Sequence, residues 1–164
     1  MKLIFSILSI LLIWMTLSGH QLPKSNDIQK IEFNTLSRGG HYEQIVITED
    51  KLRFQKEKRR TKEEKETYSR ILKAVEWKQL LKTTEHLNLH GIPKLKSPSM
   101  KRAYDGARHS AIIITAFDNQ QYIHRFDDEN PHKLLRPLLQ SILKLVPSEN
   151  SSFGFQITIG CRLT

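Results

Sequence analysis

The chain predicts an α+β fold in a single domain: an antiparallel sheet, built from a three-strand meander and a β-hairpin, packed on one face by two helical regions. Three observations predict it. Residues 109–117, HSAIIITAF, set Ile112, Ile113 and Ile114 side by side before Thr115, and β-branched residues at this density favour a pleated strand. Residues 28–55 alternate apolar and polar positions between turn residues, the mark of half-buried strands. After Pro131, leucines recur at helical spacing and define a broad apolar face.

The chain is 164 residues long, enough for one domain and short for two. Residues 1–19 have the form of a secretory signal peptide, with Lys2, an apolar run from Leu3 to Leu17, and small Thr16, Ser18 and Gly19 before a cleavage point. The run falls short of the roughly 20 residues a membrane helix needs. The expected location is therefore the periplasm or the exterior, with an N-terminal membrane anchor if the segment is kept. Residues 20–27 form a flexible leader and 28–147 the domain. Residues 148–164 form a tail or edge strand in which Phe153, Phe155, Ile157, Ile159 and Cys161 alternate.

Within the domain, residues 28–35, 42–48 and 51–55 are the meander strands, joined at Ser37-Arg38-Gly39-Gly40 and Glu49-Asp50. Gly39-Gly40 is a hairpin turn, because the Lys-Ser/Thr of a phosphate-binding loop is missing. Next comes a charge run, KEKRRTKEEK, in which Thr61 and Glu64 have capping-box spacing. Tyr68, Ile71, Leu72 and Val75 then make one helical stripe, and Trp77, Leu80, Leu81, Thr84 and Leu87 a second one out of phase. A kink near Glu76 reconciles the two. His86 and His90 have zinc-ligand spacing but no third ligand, and Gly91 and Pro93 end the helix.

Residues 91–108, GIPKLKSPSMKRAYDGAR, are a long basic loop. The hairpin of residues 109–126 follows, turning at Asp118-Asn119. Asp127, Asp128 and Glu129 then precede Asn130-Pro131. These acids suit the start of a helix with Asn130 as N-cap and Pro131 in its first turn. A calcium loop would need alternating ligands and a central glycine. Pro137 either kinks this helix or marks its true start.

The formal net charge is +9, which suits an acidic partner: an acidic protein, a glycan or an anionic lipid surface. Export argues against intracellular nucleic acid, and solubility alone is the plainer account of the charge. The residues expected to meet an anionic partner are Arg59, Arg60, Lys94, Lys96, Lys101, Arg102 and Arg108. No metal, cofactor or catalytic set is expected. The single cysteine, Cys161, leaves the chain without an internal disulfide and reads as a small apolar residue.

Tyr104-Asp105-Gly106-Ala107, the strand–turn–strand after it, Phe126-Asp127, Asn130-Pro131 and the leucine-rich helix together resemble small exported bacterial proteins and lipoproteins of uncharacterised function. The likeness covers residues 104–146, with an echo in 31–54, and rests on turns and caps. It implies no activity. His20 stands where a lipoprotein signal requires cysteine. Two functions follow as expectations: a non-catalytic binding or envelope-accessory domain, and, as the alternative, a hydrolase or metal-dependent enzyme assembled from His41, His109, His124 and Asp127. Convergence of His109, His124 and an acid in one cleft would favour the enzyme.

Overall fold

A computed structural model describes residues 27–58, 65–104 and 106–147. The signal peptide at 1–19, most of the leader, the Thr61–Glu64 capping box, Asp105 and the segment 148–164 with Cys161 lie outside the described residues. The domain is α+β, with a six-stranded antiparallel sheet in the order β4-β3-β2-β1-β5-β6. The strands are β1 (Ile28–Leu36), β2 (His41–Thr48), β3 (Lys51–Lys58), β4 (Glu66–Ile71), β5 (His109–Ala116) and β6 (Gln121–Asp127). Among the described residues there are two α-helices, α1 (Ala74–Lys82) and α2 (Arg136–Leu145), and three short 3-10 turns at Leu89–Lys94, Lys101–Ala103 and Lys133–Leu135.

Register decides which side chains meet. Ile31 lies opposite Ile47 on β2 and Ile114 on β5, while Phe33 lies opposite Ile45 and Ile112. Ile45 and Ile47 meet Phe54 and Leu52 on β3, and Ile112 and Ile114 meet His124 and Tyr122 on β6. Side chains on one strand alternate between faces, so this single face gathers the apolar residues. They form one buried cluster with Trp77, Leu80, Leu135, Leu138, Leu139 and Ile142 from the helical segments. The opposite face carries Lys30, Glu32, Gln44 and Arg53, with Val46, Ile113 and Ile123 half-buried among them. On β5, Ile112 and Ile114 are thus buried against the helices while Ile113 is half-buried on the other face. The hairpin turn is as expected, with Asn119 in the left-handed region at φ 63°.

The meander has a fourth strand where a helix was expected. A helix through Tyr68, Ile71, Leu72 and Val75 would bury all four, yet Ile71 is 83% and Val75 56% exposed. The chain instead pairs with β3, setting Tyr68 beside Phe54 and Arg70 beside Leu52. An apolar stripe of four residues is compatible with either period, and the open edge of β3 supplies backbone partners that a short helix would forgo. The second stripe survives in α1, where Trp77 and Leu80 are buried.

Arg70 ties these pieces together. Its guanidinium donates to both Glu76 oxygens at 2.8 and 2.9 Å and to the Leu145 carbonyl at 3.3 Å. Glu76 also accepts the Lys73 N–H at 2.9 Å, capping α1. The Arg70 bonds, with the Lys73 N–H, hold the Glu76 carboxyl down at about 2. The second helix begins later than expected. The Asn130 N–H goes back to the Asp127 carbonyl at 3.0 Å, and Asn130 caps nothing. His132 caps the 3-10 turn instead, and α2 opens at Arg136 with Pro137 in its first turn, the true start. His86 and His90 share no helix, because α1 ends at Lys82 and His90 stands edge-on to Tyr122 at 5.3 Å. Among the described residues, no helix is long and apolar enough to cross a membrane.

Candidate functional site

The acidic corner after β6 is where the basic loop is fastened. Asp127 is 1% exposed. Its Oδ2 accepts the Lys101 N–H at 2.7 Å and the Ser99 hydroxyl, and its Oδ1 accepts Arg102 Nη1 at 2.5 Å. Burial alone would push this carboxyl upward, but the bonds from Ser99, Arg102 and the backbone N–H groups of Lys101 and Arg102 outweigh it, and the net direction is down. One carboxylate thus gathers a side-chain cation, a hydroxyl and backbone donors from a loop that has little apolar surface of its own.

The neighbouring acids hold the loop's other end. The Arg108 N–H donates to Asp128 Oδ1 at 3.0 Å, the Asp128 N–H returns to the Arg108 carbonyl at 3.0 Å, and the Arg108 guanidinium pairs with Glu129. Asp128 adopts φ 52° to do so. Burial raises the Glu129 carboxyl, the charges of Asp128 and Glu43 add to that, and Arg108 opposes it. The acids read as helix capping are in fact a clasp.

His124, buried behind the loop, is a structural ring. Its Nε2 accepts the His132 N–H at 3.2 Å, and its face stacks on Phe126 at 5.5 Å. Burial, then the charges of His132 and Arg102, lower its pKa against a backbone bond to Leu95, so the ring is neutral near pH 7.

Between loop and β6 lies a groove of about 420 Å³, lined by Leu95, Lys96, Met100, Arg102, His124 and Arg125 among others. Its rim carries the exposed cations Lys96 and Arg125, and Lys94 and Lys101 are exposed elsewhere on the same loop. The sequence-predicted site residues thus divide. Lys94, Lys96 and Lys101 point to solvent, Arg102 and Arg108 are held by carboxylates, and Arg59 and Arg60 lie outside the described residues.

Two residues of consequence escaped the sequence. Arg125 is one neutral-looking member of an alternating strand, and only the loop's position makes it part of a rim. Glu43 sits in β2 as an ordinary polar alternate, yet it is 4% exposed. The candidate enzyme residues do not converge. His109 is exposed and lies opposite Asp127 in the β5–β6 register, while His124 faces the apolar side and His41 stands on β2. Among the described residues, no three His, Cys, Asp or Glu side chains group as a metal site. Compared with known proteins, the chain matches no protein-family model and no curated sequence.

Proposed function

We propose that this chain is an exported, non-catalytic binding domain of the cell envelope, and that its loop–β6 groove takes an anionic group of an acidic protein, glycan or lipid headgroup. The observation that carries the reading is the pairing pattern. Asp127 neutralises Arg102 and fixes the loop, while Lys94, Lys96, Lys101 and Arg125 make no ion pair among the described residues. A fastened loop presents its cations in one geometry, so a partner need not order it on binding. The signal-like residues 1–19 and the resemblance over 104–146 support the envelope setting.

The test is capture of partners from the envelope of the source cell by the full chain and by a variant with Lys94→Glu, Lys96→Glu and Lys101→Glu. The expected result is a partner retained by the wild type, lost by the variant and released as salt rises, since exposed charges are screened beyond about 10 Å at 0.1 M. Equal retention by both chains, or retention indifferent to salt, refutes the groove as the site.

A further inference from the structure

At the end of the sheet where β1 turns into β2, the helix-covered face changes character. Beyond the row of Phe33, Ile45, Phe54 and Ile112 comes a polar row: Thr35 opposite Glu43 and Ser110, and Glu43 opposite Lys56. Thr35 Oγ1 accepts the Ser110 hydroxyl at 3.0 Å. Glu43 is not so provided for. It is 4% exposed, and its Oε2 is buried without a hydrogen-bond partner among the described residues. Lys56, its cross-strand neighbour, makes no ion pair among them either. Both open onto a cleft of about 330 Å³, also lined by Thr35, Ser37, His41 and Arg108.

A buried carboxylate oxygen without a donor is unfavourable in a finished fold. A ligand that brings a donor relieves it. We propose that this cleft binds a small zwitterion, a free α-amino acid, with its ammonium on Glu43 and its carboxylate on Lys56. A plain cation would meet Lys56 and Arg108 as well as Glu43. A plain anion would leave the Glu43 oxygen without a donor and add a like charge beside it. An ammonium and a carboxylate carried on one carbon match two opposite charges projecting from neighbouring strands, whose Cβ atoms stand about 5 Å apart. Arg108 is already held by Asp128 and Glu129, which leaves Lys56 as the cation open to the ligand. The cleft shares no lining residue with the groove beside β6, and the inference stands apart from the function proposed above.

The experiment is a titration of the isotopically labelled full chain with L-alanine, and separately with methylamine and with acetate, following backbone amides by NMR. L-Alanine is expected to give saturable shifts centred on residues 35, 43, 56 and 108, with each half-ligand weaker. Glu43→Gln keeps the shape of the side chain and is expected to weaken L-alanine roughly tenfold or more, the worth of a hydrogen bond to a charged group, while its unfolding midpoint stays level or rises. Lys56→Gln, at a less buried position, is expected to weaken it too. The absence of saturable shifts with L-alanine overturns the proposal, as does acetate binding as well as L-alanine, or unchanged affinity in both variants.

Discussion

Removing the Arg102 side chain strips a buried carboxylate of its guanidinium. The Asp127 side chain is 2% exposed and that of Arg102 18%, so little water is at hand to take over. Leaving one partner of a buried pair uncompensated is costly, and Arg102→Ala is expected to destabilise the fold by about 3 kcal/mol, read as a lower urea midpoint. The same variant should raise the Asp127 carboxyl, visible in an NMR titration of its side chain. A midpoint unchanged by the substitution would show that Ser99 and the backbone N–H groups suffice alone. Nothing in the sequence announces this pair: its members are 25 positions apart, and an aspartate before Asn-Pro has a ready local explanation as a helix start. Local signals mislead when a residue's partner is brought in by a distant loop.

Among the elements, two isoleucines show what pairing does with like residues. Ile114 in central β5 is 0% exposed and Ile71 at the end of edge strand β4 is 83% exposed. Ile114→Ala is expected to cost about 3 kcal/mol through lost burial and the cavity left behind, and Ile71→Ala less than about 0.5 kcal/mol, both measured by denaturant unfolding. Comparable losses at the two sites would mean that the edge is covered in solution. The β5–β6 hairpin and the first three strands were legible because alternation, β-branching and turn residues agree there. The fourth strand was not, because Tyr68, Ile71, Leu72 and Val75 fit a helical stripe as well as they fit a strand, and only pairing with β3 separates the two. The late start of α2 has a similar origin: Asn130 turns its backbone to Asp127, His132 caps a 3-10 turn, and α2 opens only at Arg136 with no side-chain cap.

The molecule as a whole should be acid-sensitive, and the sign follows from its paired carboxylates. Asp127 and Glu76 are both lowered in the folded state, Glu76 to about 2. Such groups stabilise the fold above the ordinary carboxylate range, and that contribution is lost as pH falls through their folded values. Glu129 is raised and acts the opposite way, favouring the fold as pH drops from its folded value toward the ordinary one. Two carboxylates against one leave a net loss on acidification below about pH 4, and His124, lowered by burial, adds a loss that begins below the ordinary histidine range. Urea midpoints recorded from neutral pH down to about pH 2 should therefore decline, and Asp127→Asn should make the decline shallower. A flat profile would remove the clasp from the account of stability.

The strand order has a bearing on how the chain reaches this state. Strands β1 to β4 are neighbours in sequence as well as in space, whereas β1 meets β5 only after everything from Leu36 to His109 has been threaded past. Contacts that close a long stretch of chain form late. Until the isoleucine hairpin arrives, the flank of the first strand is a row of unanswered amides and carbonyls, open to any extended peptide nearby. For a chain synthesised from its N-terminus, that waiting interval is the moment of greatest exposure to misassembly, and chaperone escort would matter most then.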